Sequence, residues 1–347
     1  MRMTNQPHRE YLYRATFELG QHLIGIEVQK ILAVIDLYGD HVGVIGYGEG
    51  GLLALYAAVL DKRITAAGVS GYFQNRQALW REPIYRNIFG LLREFGDAGI
   101  AALVVGDLII EASPHPCSDG PPTSNEGRTG AAPGRLATPA ADQVAAGFER
   151  AQELASTHGR EFALVHSTAP GSDVLLTTFL TALGIQRLQP AGSAPRRLRD
   201  LPNALQRQKR QFHQLLDHTQ DLLAAAEFAR KRFWCKADAR DVDTWKKTTR
   251  RYHKYLHDQV IGRLPAPRVA HRPRSHLIYR EKNIPAMKSS STSTAMSSPM
   301  ASYSSPKASA RVRSVPSSSA STVSRAARKI SPTPLSIIPP TTATLAI

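Results

Sequence analysis

The apolar residues in the first half of the chain fall into two alternating patterns. Short, nearly continuous apolar runs are typical of buried strands, and they occur at residues 41–45, 64–69, 108–112 and 162–165. Longer segments with an apolar face indicate helices, at residues 17–37, 52–60, 83–95, 141–155 and 174–183. Because strands and helices alternate, we predict an α/β fold for residues 1–185, with about four parallel strands covered by helices on both faces.

The middle of the chain has the pattern of a linker followed by two helices. Residues 186–199 are rich in Pro and Arg, which is typical of a connection between domains. Within residues 200–264, apolar residues recur at helical spacing on both sides of a polar turn, so we predict a helical hairpin. We interpret the aromatic residues in these stripes, such as Phe212 and Trp245, as packing residues and not as a cofactor site.

The last part of the chain has a composition that favours disorder. Residues 283–347 contain no Asp, Glu, Gly, Phe or Trp and are dominated by Ser, Thr, Ala and Pro. Such a segment cannot bury enough apolar surface to offset the entropy lost on ordering, so we predict that residues 265–347 are disordered.

The same tail carries most of the positive charge. From residue 268 onward there are twelve basic residues and one acid, Glu281, out of a formal net charge of +16 for the whole chain. The net charge of the whole chain therefore gives little information about the charge of the folded part. Tyr303 is the only aromatic residue beyond residue 283, which argues against nucleic acid as a partner of the tail.

Cys117 and Cys235 are the only cysteines, and their spacing fits neither a disulfide framework nor a metal site. We therefore expect no metal and no other cofactor. The polar N-terminal segment lacks the apolar core of a signal peptide, and Asp107 and Glu111 interrupt the longest apolar run. We expect no membrane insertion, and the sequence does not indicate a compartment.

One segment carries a motif with chemical content, the glycine-rich turn G-Y-G-E-G-G over residues 46–51. Gly46, Gly48 and Gly51 fit the G-x-G-x-x-G pattern of a dinucleotide-binding turn, which also lies between a strand and a helix. However, a long predicted helix precedes the strand, and no acid lies between Asp61 and Glu82 to bind a ribose hydroxyl. A dinucleotide-binding module is therefore the weaker alternative.

The same turn fits G-x-S-x-G, the nucleophile elbow, at every position except the serine. Over residues 46–54 the chain resembles the α/β-hydrolase superfamily, and within it the dienelactone-hydrolase and acetyl-xylan-esterase-like proteins. The resemblance extends over residues 17–184 and implies the second half of a three-layer sandwich, so we expect the front strands of that fold to be absent. The serine falls on Gly48, which has no nucleophilic atom. The resemblance thus implies an esterase-related domain that is catalytically silent, a pseudoenzyme.

The remaining catalytic positions are only loosely filled. The resemblance places the acid after the strand at residues 108–112 and the histidine after the strand at residues 162–165, where Glu111 and His166 are the nearest matches. Both are weak candidates, because a lone histidine at a strand end is more often structural. The enzyme alternative is an active ester hydrolase with an unusual site, and intact relatives would act on small esters or carbohydrate esters. An incomplete sheet exposes an edge, which favours self-association or a protein partner.

The tail also permits a hypothesis about its origin. In a reading frame that starts one nucleotide earlier, each TCN serine codon becomes an NTC codon, which encodes only Phe, Leu, Ile or Val. In that frame, residues 316–327 permit the sequence P-V-V-V-C-Q-H-G-L-E-G-R. This string is an apolar strand followed by H-G-x-x-G, the oxyanion-hole motif of the superfamily that the chain resembles. We hypothesise that the chain is the remnant of a tandem hydrolase whose second domain was replaced by a frameshift near residues 283–286. The alternative is a genuine low-complexity Ser/Thr segment.

Overall fold

A computed structural model describes residues 4–124, 129–185, 192–193, 196, 198 and 203–263, together with three strands between residues 274 and 304. The described residues fall into two compact units, which divide between Trp245 and Lys246. The predicted domain boundaries at residues 185, 199 and 264 lie at or beside residues outside the described part, so they stay predictions.

The first unit alternates helices and strands over most of its length. Its strands are β1 (Val42–Tyr47), β2 (Ile64–Ser70), β3 (Asp107–Ala112) and β4 (Ala163–His166). Its helices are α1 (His8–Phe17), α2 (Leu23–Ile35), α3 (Glu49–Leu60), α4 (Leu91–Glu94), α5 (Gly96–Ala102), α6 (Ala141–Ser156), α7 (Asp173–Ala182) and α8 (Ala204–Trp234). Short 3-10 turns lie at Leu79–Arg81 and Ile84–Arg86. Helix α9 (Val242–Tyr255) begins just before the division and continues into a π-helical turn, Leu256–Val260.

Strands β1 to β4 form one parallel sheet in chain order. The register places Ser70 of β2 between Tyr47 of β1 and Glu111 of β3, and it places His166 of β4 beside Ala112. The carboxyl ends of all four strands therefore meet at one edge. This arrangement confirms the predicted α/β class with four parallel strands.

Helices cover both faces of this sheet, because successive side chains of a strand point to opposite faces. On one face, Val69 and Ile110 belong to the same apolar core as Leu55 of α3. On the other face, Ile109 packs with Leu175 and Phe179 of α7. Apolar side chains buried in this way contribute about 1.5–3 kcal/mol each, so the two layers of helix hold the sheet from both sides.

Two predicted helices differ from the structure because glycines interrupt them. The helix predicted at residues 17–37 is the shorter α2, and the turn before it contains Gly20, which has a φ of 80°. Helix α1, which was not predicted, ends where the predicted helix begins. The helix predicted at residues 83–95 is a 3-10 turn followed by the short α4, and Gly90 between them has a φ of 76°. Glycine adopts this left-handed conformation at little cost, so an apolar periodicity can continue across a break in the helix.

Helices α8 and α9 lie within residues 200–264, the range for which the sequence predicts a helical hairpin. The first part of α8 packs against α1, where the ring of Phe212 lies 4.8 Å from the ring of His8 and 5.9 Å from that of Tyr11. None of the helices in the described part combines the length and the apolar character needed to cross a membrane.

The described part of the tail contains three short strands. They are β5 (Arg274–Arg280), β6 (Pro285–Ser290) and β7 (Met300–Ser304), paired antiparallel in chain order. The sequence predicts disorder over residues 265–347, and at these three segments the structure has strands instead. Antiparallel strands pair with their neighbours along the chain, a local arrangement that composition alone does not exclude. The rest of that range, including residues 316–327, lies outside the described residues.

Candidate functional site

The glycine-rich turn connects β1 directly to α3. Gly48 lies between the two elements with a φ of 58° and a ψ of −118°, a conformation that residues with a side chain rarely adopt. At Gly46 a Cβ atom would lie 2.0 Å from the carbonyl oxygen of Gly50, and at Gly51 it would lie 3.0 Å from that of Ser70. Gly50 has open space instead. The sharp turn therefore depends on glycine at positions 46, 48 and 51.

The loop that follows β3 covers position 48. A Cβ atom on Gly48 would lie 2.9 Å from Cδ of Pro116 and 3.4 Å from Nε2 of His115. The space in which the nucleophile of an elbow would project is thus occupied by a proline ring and an imidazole. Sequence reasoning missed both residues, and the only signal for them is the pair of prolines, Pro114 and Pro116, on either side of the histidine.

The hydrogen bonds of His115 fix the tautomer of its imidazole ring. Its side chain is buried, at 4% exposure. Nη2 of Arg86 lies 2.9 Å from Nε2, and the carbonyl oxygen of Pro116 lies 2.7 Å from Nδ1. Because a guanidinium can only donate and a carbonyl can only accept, Nδ1 carries the proton and Nε2 accepts. Burial, followed by the charge of Arg86, lowers the pKa of His115, so the neutral imidazole is favoured and its lone pair is already used.

A chain of charged groups surrounds the start of α3. Oε1 of Glu49 accepts a hydrogen bond of 2.6 Å from Nε of Arg86, and Oε2 lies 3.5 Å from Nη2 of Arg9. Arg9 also donates from both Nη atoms to Glu27, with a distance of 2.8 Å for Nη2 to Oε2. Glu49 is the first residue of α3, where a negative charge interacts favourably with the helix dipole. These contacts compensate the carboxylate and fix its position.

The same chain of charges continues into the interior through Arg86. Oε2 of Glu82 lies 3.5 Å from Nη1 of Arg86 and 2.9 Å from Nη2 of the fully buried Arg76. Nη1 of Arg76 lies 3.8 Å from Oδ1 of Asp97, which is a long distance for an ion pair. Burial raises the pKa of Asp97 to about 6, although Arg76 opposes this shift. The interior end of the chain is therefore its least compensated part.

Glu111 lies at the carboxyl end of β3, and both of its carboxylate oxygens are engaged. Oε2 accepts from Oγ of Ser70 at 2.5 Å and from the backbone N–H of Gly171 at 2.9 Å. Oε1 accepts from the backbone N–H of Ser172 at 2.9 Å, directly before α7. Burial alone raises the pKa of Glu111, but the hydrogen bonds from Ser172, Ser70 and Gly171 outweigh it and lower the pKa. This environment is that of a structural carboxylate that binds the start of a helix.

Glu111 and His166 line the same cavity at the carboxyl edge of the sheet, which has a volume of about 450 Å³. His166 is exposed there. Gly48 is not among the described residues that line the cavity. The structure thus brings two of the predicted site residues together and leaves the third beneath Pro116. Besides these two, the lining includes Tyr72, Phe73, Ser113, Thr138, Val144 and Ser167.

Three observations bear on the dinucleotide alternative. The close contacts of Gly46, Gly48 and Gly51 match the three positions of the G-x-G-x-x-G pattern. However, dinucleotides bind where the strand order reverses, and β1 pairs only with β2 among the described strands. Strand β2 ends at Ser70 and not at an acid that could bind a ribose.

In the part of the chain that the structure describes, no three His, Cys, Asp or Glu side chains converge in a group that could hold a metal ion. Comparison with protein-family models, with curated proteins and with solved structures finds no match for this chain.

Proposed function

We propose that the first unit is an α/β-hydrolase-related domain that does not hydrolyse esters and acts as an interaction module. The observation that carries this proposal is Gly48. Its backbone has the strained strand-to-helix geometry expected of a nucleophile elbow, it has no nucleophilic atom, and the ring of Pro116 occupies the space in front of it.

The surroundings of the elbow support catalytic silence as well. Acyl transfer needs a base that can accept a proton from the nucleophile. The nearest imidazole, that of His115, already accepts a hydrogen bond from Arg86. Glu111, the weak candidate for the acid, uses both oxygens to bind Ser70 and the start of α7.

The edge of the sheet supports the interaction part of the proposal. Strand β1 has no described partner on its outer side and contains neither a charged residue nor a proline, which are common protections of an edge. Its side chains Ile45 and Tyr47 are 41% and 40% exposed. In an antiparallel pair of two β1 strands, Val44 would lie opposite Ile45 and Gly43 opposite Gly46. A second copy of the chain therefore suits this edge.

Hydrolysis of 4-nitrophenyl acetate by the full chain tests the catalytic part. We expect the wild type, Gly48→Ser and His166→Ala to match the rate of buffer alone. The wild type has no nucleophilic atom at position 48, and a serine there would meet Pro116 and an imidazole that already accepts a hydrogen bond from Arg86. Circular dichroism establishes that the variants fold. Turnover by the wild type that disappears in His166→Ala would establish an active esterase with an unusual site. Saturable binding of NAD would instead favour the dinucleotide alternative.

A further inference from the structure

Two neighbouring cavities on the first unit share the residues Trp80, Arg81 and Arg135. Their volumes are about 480 and about 460 Å³. Together they form a region that we call the Trp80 cleft. The proposed function above does not involve this region.

The backbone holds the two exposed arginines of the cleft side by side. The N–H of Arg135 donates to the carbonyl oxygen of Arg81 at 2.9 Å. At the preceding residue, Gly134, a Cβ atom would lie 2.7 Å from the carbonyl oxygen of Glu82 and 2.8 Å from Cα of Pro83. Only glycine permits this approach, so the pairing of the two segments is built into the sequence.

The charges of the Trp80 cleft leave a positive surface. Oε1 of Glu82 accepts from Gln74 at 3.0 Å and Oε2 from Arg76 at 2.9 Å, while Arg86 pairs with Glu49. By contrast, Arg81 and Arg135 form no ion pair with any described residue. The one other described acid that lines the cleft is Asp119. Two guanidinium groups are therefore available for an anion.

Trp80 adds a flat apolar surface to this charge. It is 75% exposed, and Cζ of Arg81 lies 4.8 Å from its ring centroid. A tryptophan is highly buried on average, so an indole with this exposure is unusual. A ring can stack on the indole while a guanidinium binds a phosphate or carboxylate in bidentate fashion. The amides of Asn75, Gln77 and Gln143 complete the polar lining.

We propose that the Trp80 cleft binds a small aryl anion, whose ring stacks on Trp80 and whose phosphate or carboxylate group binds Arg81 and Arg135. Both kinds of anion share the chemistry that the guanidinium groups recognise. The ring requirement separates this site from a general attraction of anions to a basic surface.

Calorimetric titration of the full chain with phenyl phosphate, benzoate, inorganic phosphate and phenol tests the proposal. We expect one of the two aryl anions to bind at least about tenfold more tightly than either inorganic phosphate or phenol. The stronger of phenyl phosphate and benzoate identifies the preferred anionic group. Equal affinity for phenyl phosphate, benzoate and inorganic phosphate would mean adventitious anion binding, and the absence of saturable binding of every probe would also overturn the proposal.

Two variants and a control locate the binding. Arg135→Gln and Trp80→Ala should each weaken binding of the preferred aryl anion by about tenfold. Arg150→Gln removes an exposed arginine of α6 that pairs with Glu153, and it should leave the affinity unchanged. Circular dichroism checks that all three fold. An affinity in Arg135→Gln equal to that of the wild type would show that the anion binds elsewhere.

Discussion

Replacing Gly48 with alanine tests how strongly the fold depends on the covered elbow. The substitution adds one methyl group at a backbone with a φ of 58° and a ψ of −118°, which costs about 1–3 kcal/mol in a residue other than glycine. The new Cβ would also lie 2.9 Å from Cδ of Pro116, closer than real Cβ contacts, and 3.2 Å from Cγ, which is a tight contact. Relieving that overlap adds about 1–3 kcal/mol. Together the two costs give an expected loss of about 2–6 kcal/mol.

Urea unfolding followed by circular dichroism measures this loss against a matched control. Gly50 lies two residues further along, in the first turn of α3, and a Cβ there would meet nothing within 4 Å. Gly50→Ala should therefore raise the free energy of unfolding by about 0.5–1 kcal/mol, because alanine favours the helix. The two variants differ by one methyl group each from the wild type and are expected to change stability in opposite directions.

A free energy of unfolding for Gly48→Ala within about 0.5 kcal/mol of the wild type would refute the reasoning. Position 48 would then have room for a side chain, and Pro116 would not close it. The steric part of the argument for catalytic silence would fail with it. The chemical part would remain, because glycine still supplies no nucleophile.

Three further predictions follow from other contacts. Glu111→Gln should lower the free energy of unfolding by about 1–3 kcal/mol, whereas Glu153→Gln, at an exposed residue, should change it little. Because the pKa of Glu111 in the folded protein lies below 4.5, the stabilisation by its carboxylate is present above pH 4.5. It is lost as the pH falls through the folded pKa. Asp97 has the opposite sign, since a pKa raised from 3.8 to about 6 gives stability that is present below pH 3.8 and lost as the pH rises through 6. This loss of stability amounts to about 3 kcal/mol, at about 1.4 kcal/mol per pKa unit, and it should lower the urea midpoint of the wild type between pH 4 and pH 7. In Asp97→Asn this pH dependence of the midpoint should be absent. Finally, Ile45→Lys should abolish any self-association seen by light scattering, and a dimer that persists in this variant would use another surface.

The strands of the sheet could be predicted from sequence because buried parallel strands are nearly continuous apolar runs. The runs at residues 64–69 and 108–112 match β2 and β3 to within a residue at each end. The predicted helices were less accurate than the predicted strands, since apolar periodicity does not indicate the backbone conformation of a single glycine. Gly20 lies in the turn before α2 and Gly90 lies directly before α4, although each predicted helix runs through its glycine.

The candidate site could be predicted only where it depends on strand ends. Glu111 and His166 lie near the carboxyl ends of neighbouring strands. Because the carboxyl ends of parallel strands meet at one edge, the two residues line one cavity. His115 and Pro116 belong to the long loop after β3, whose path over the elbow is set by tertiary contacts such as the hydrogen bond from Arg86. No periodicity encodes such a path, and the sequence therefore predicted the glycine-rich turn between a strand and a helix but not the groups that cover it.

The covering groups change what the glycine at position 48 means. A glycine in an otherwise open elbow would leave a site that a single Gly48→Ser substitution could repair. Here a serine side chain would meet Pro116, and the imidazole beside it already accepts a hydrogen bond from Arg86. Arg86 in turn pairs with Glu49 at the start of α3. The same Arg86 thus links the carboxylate at the start of α3 to the imidazole beside position 48. Esterase activity would require changes in the loop and in that network together, so the silence we propose is a property of the packed turn as a whole and not of one residue.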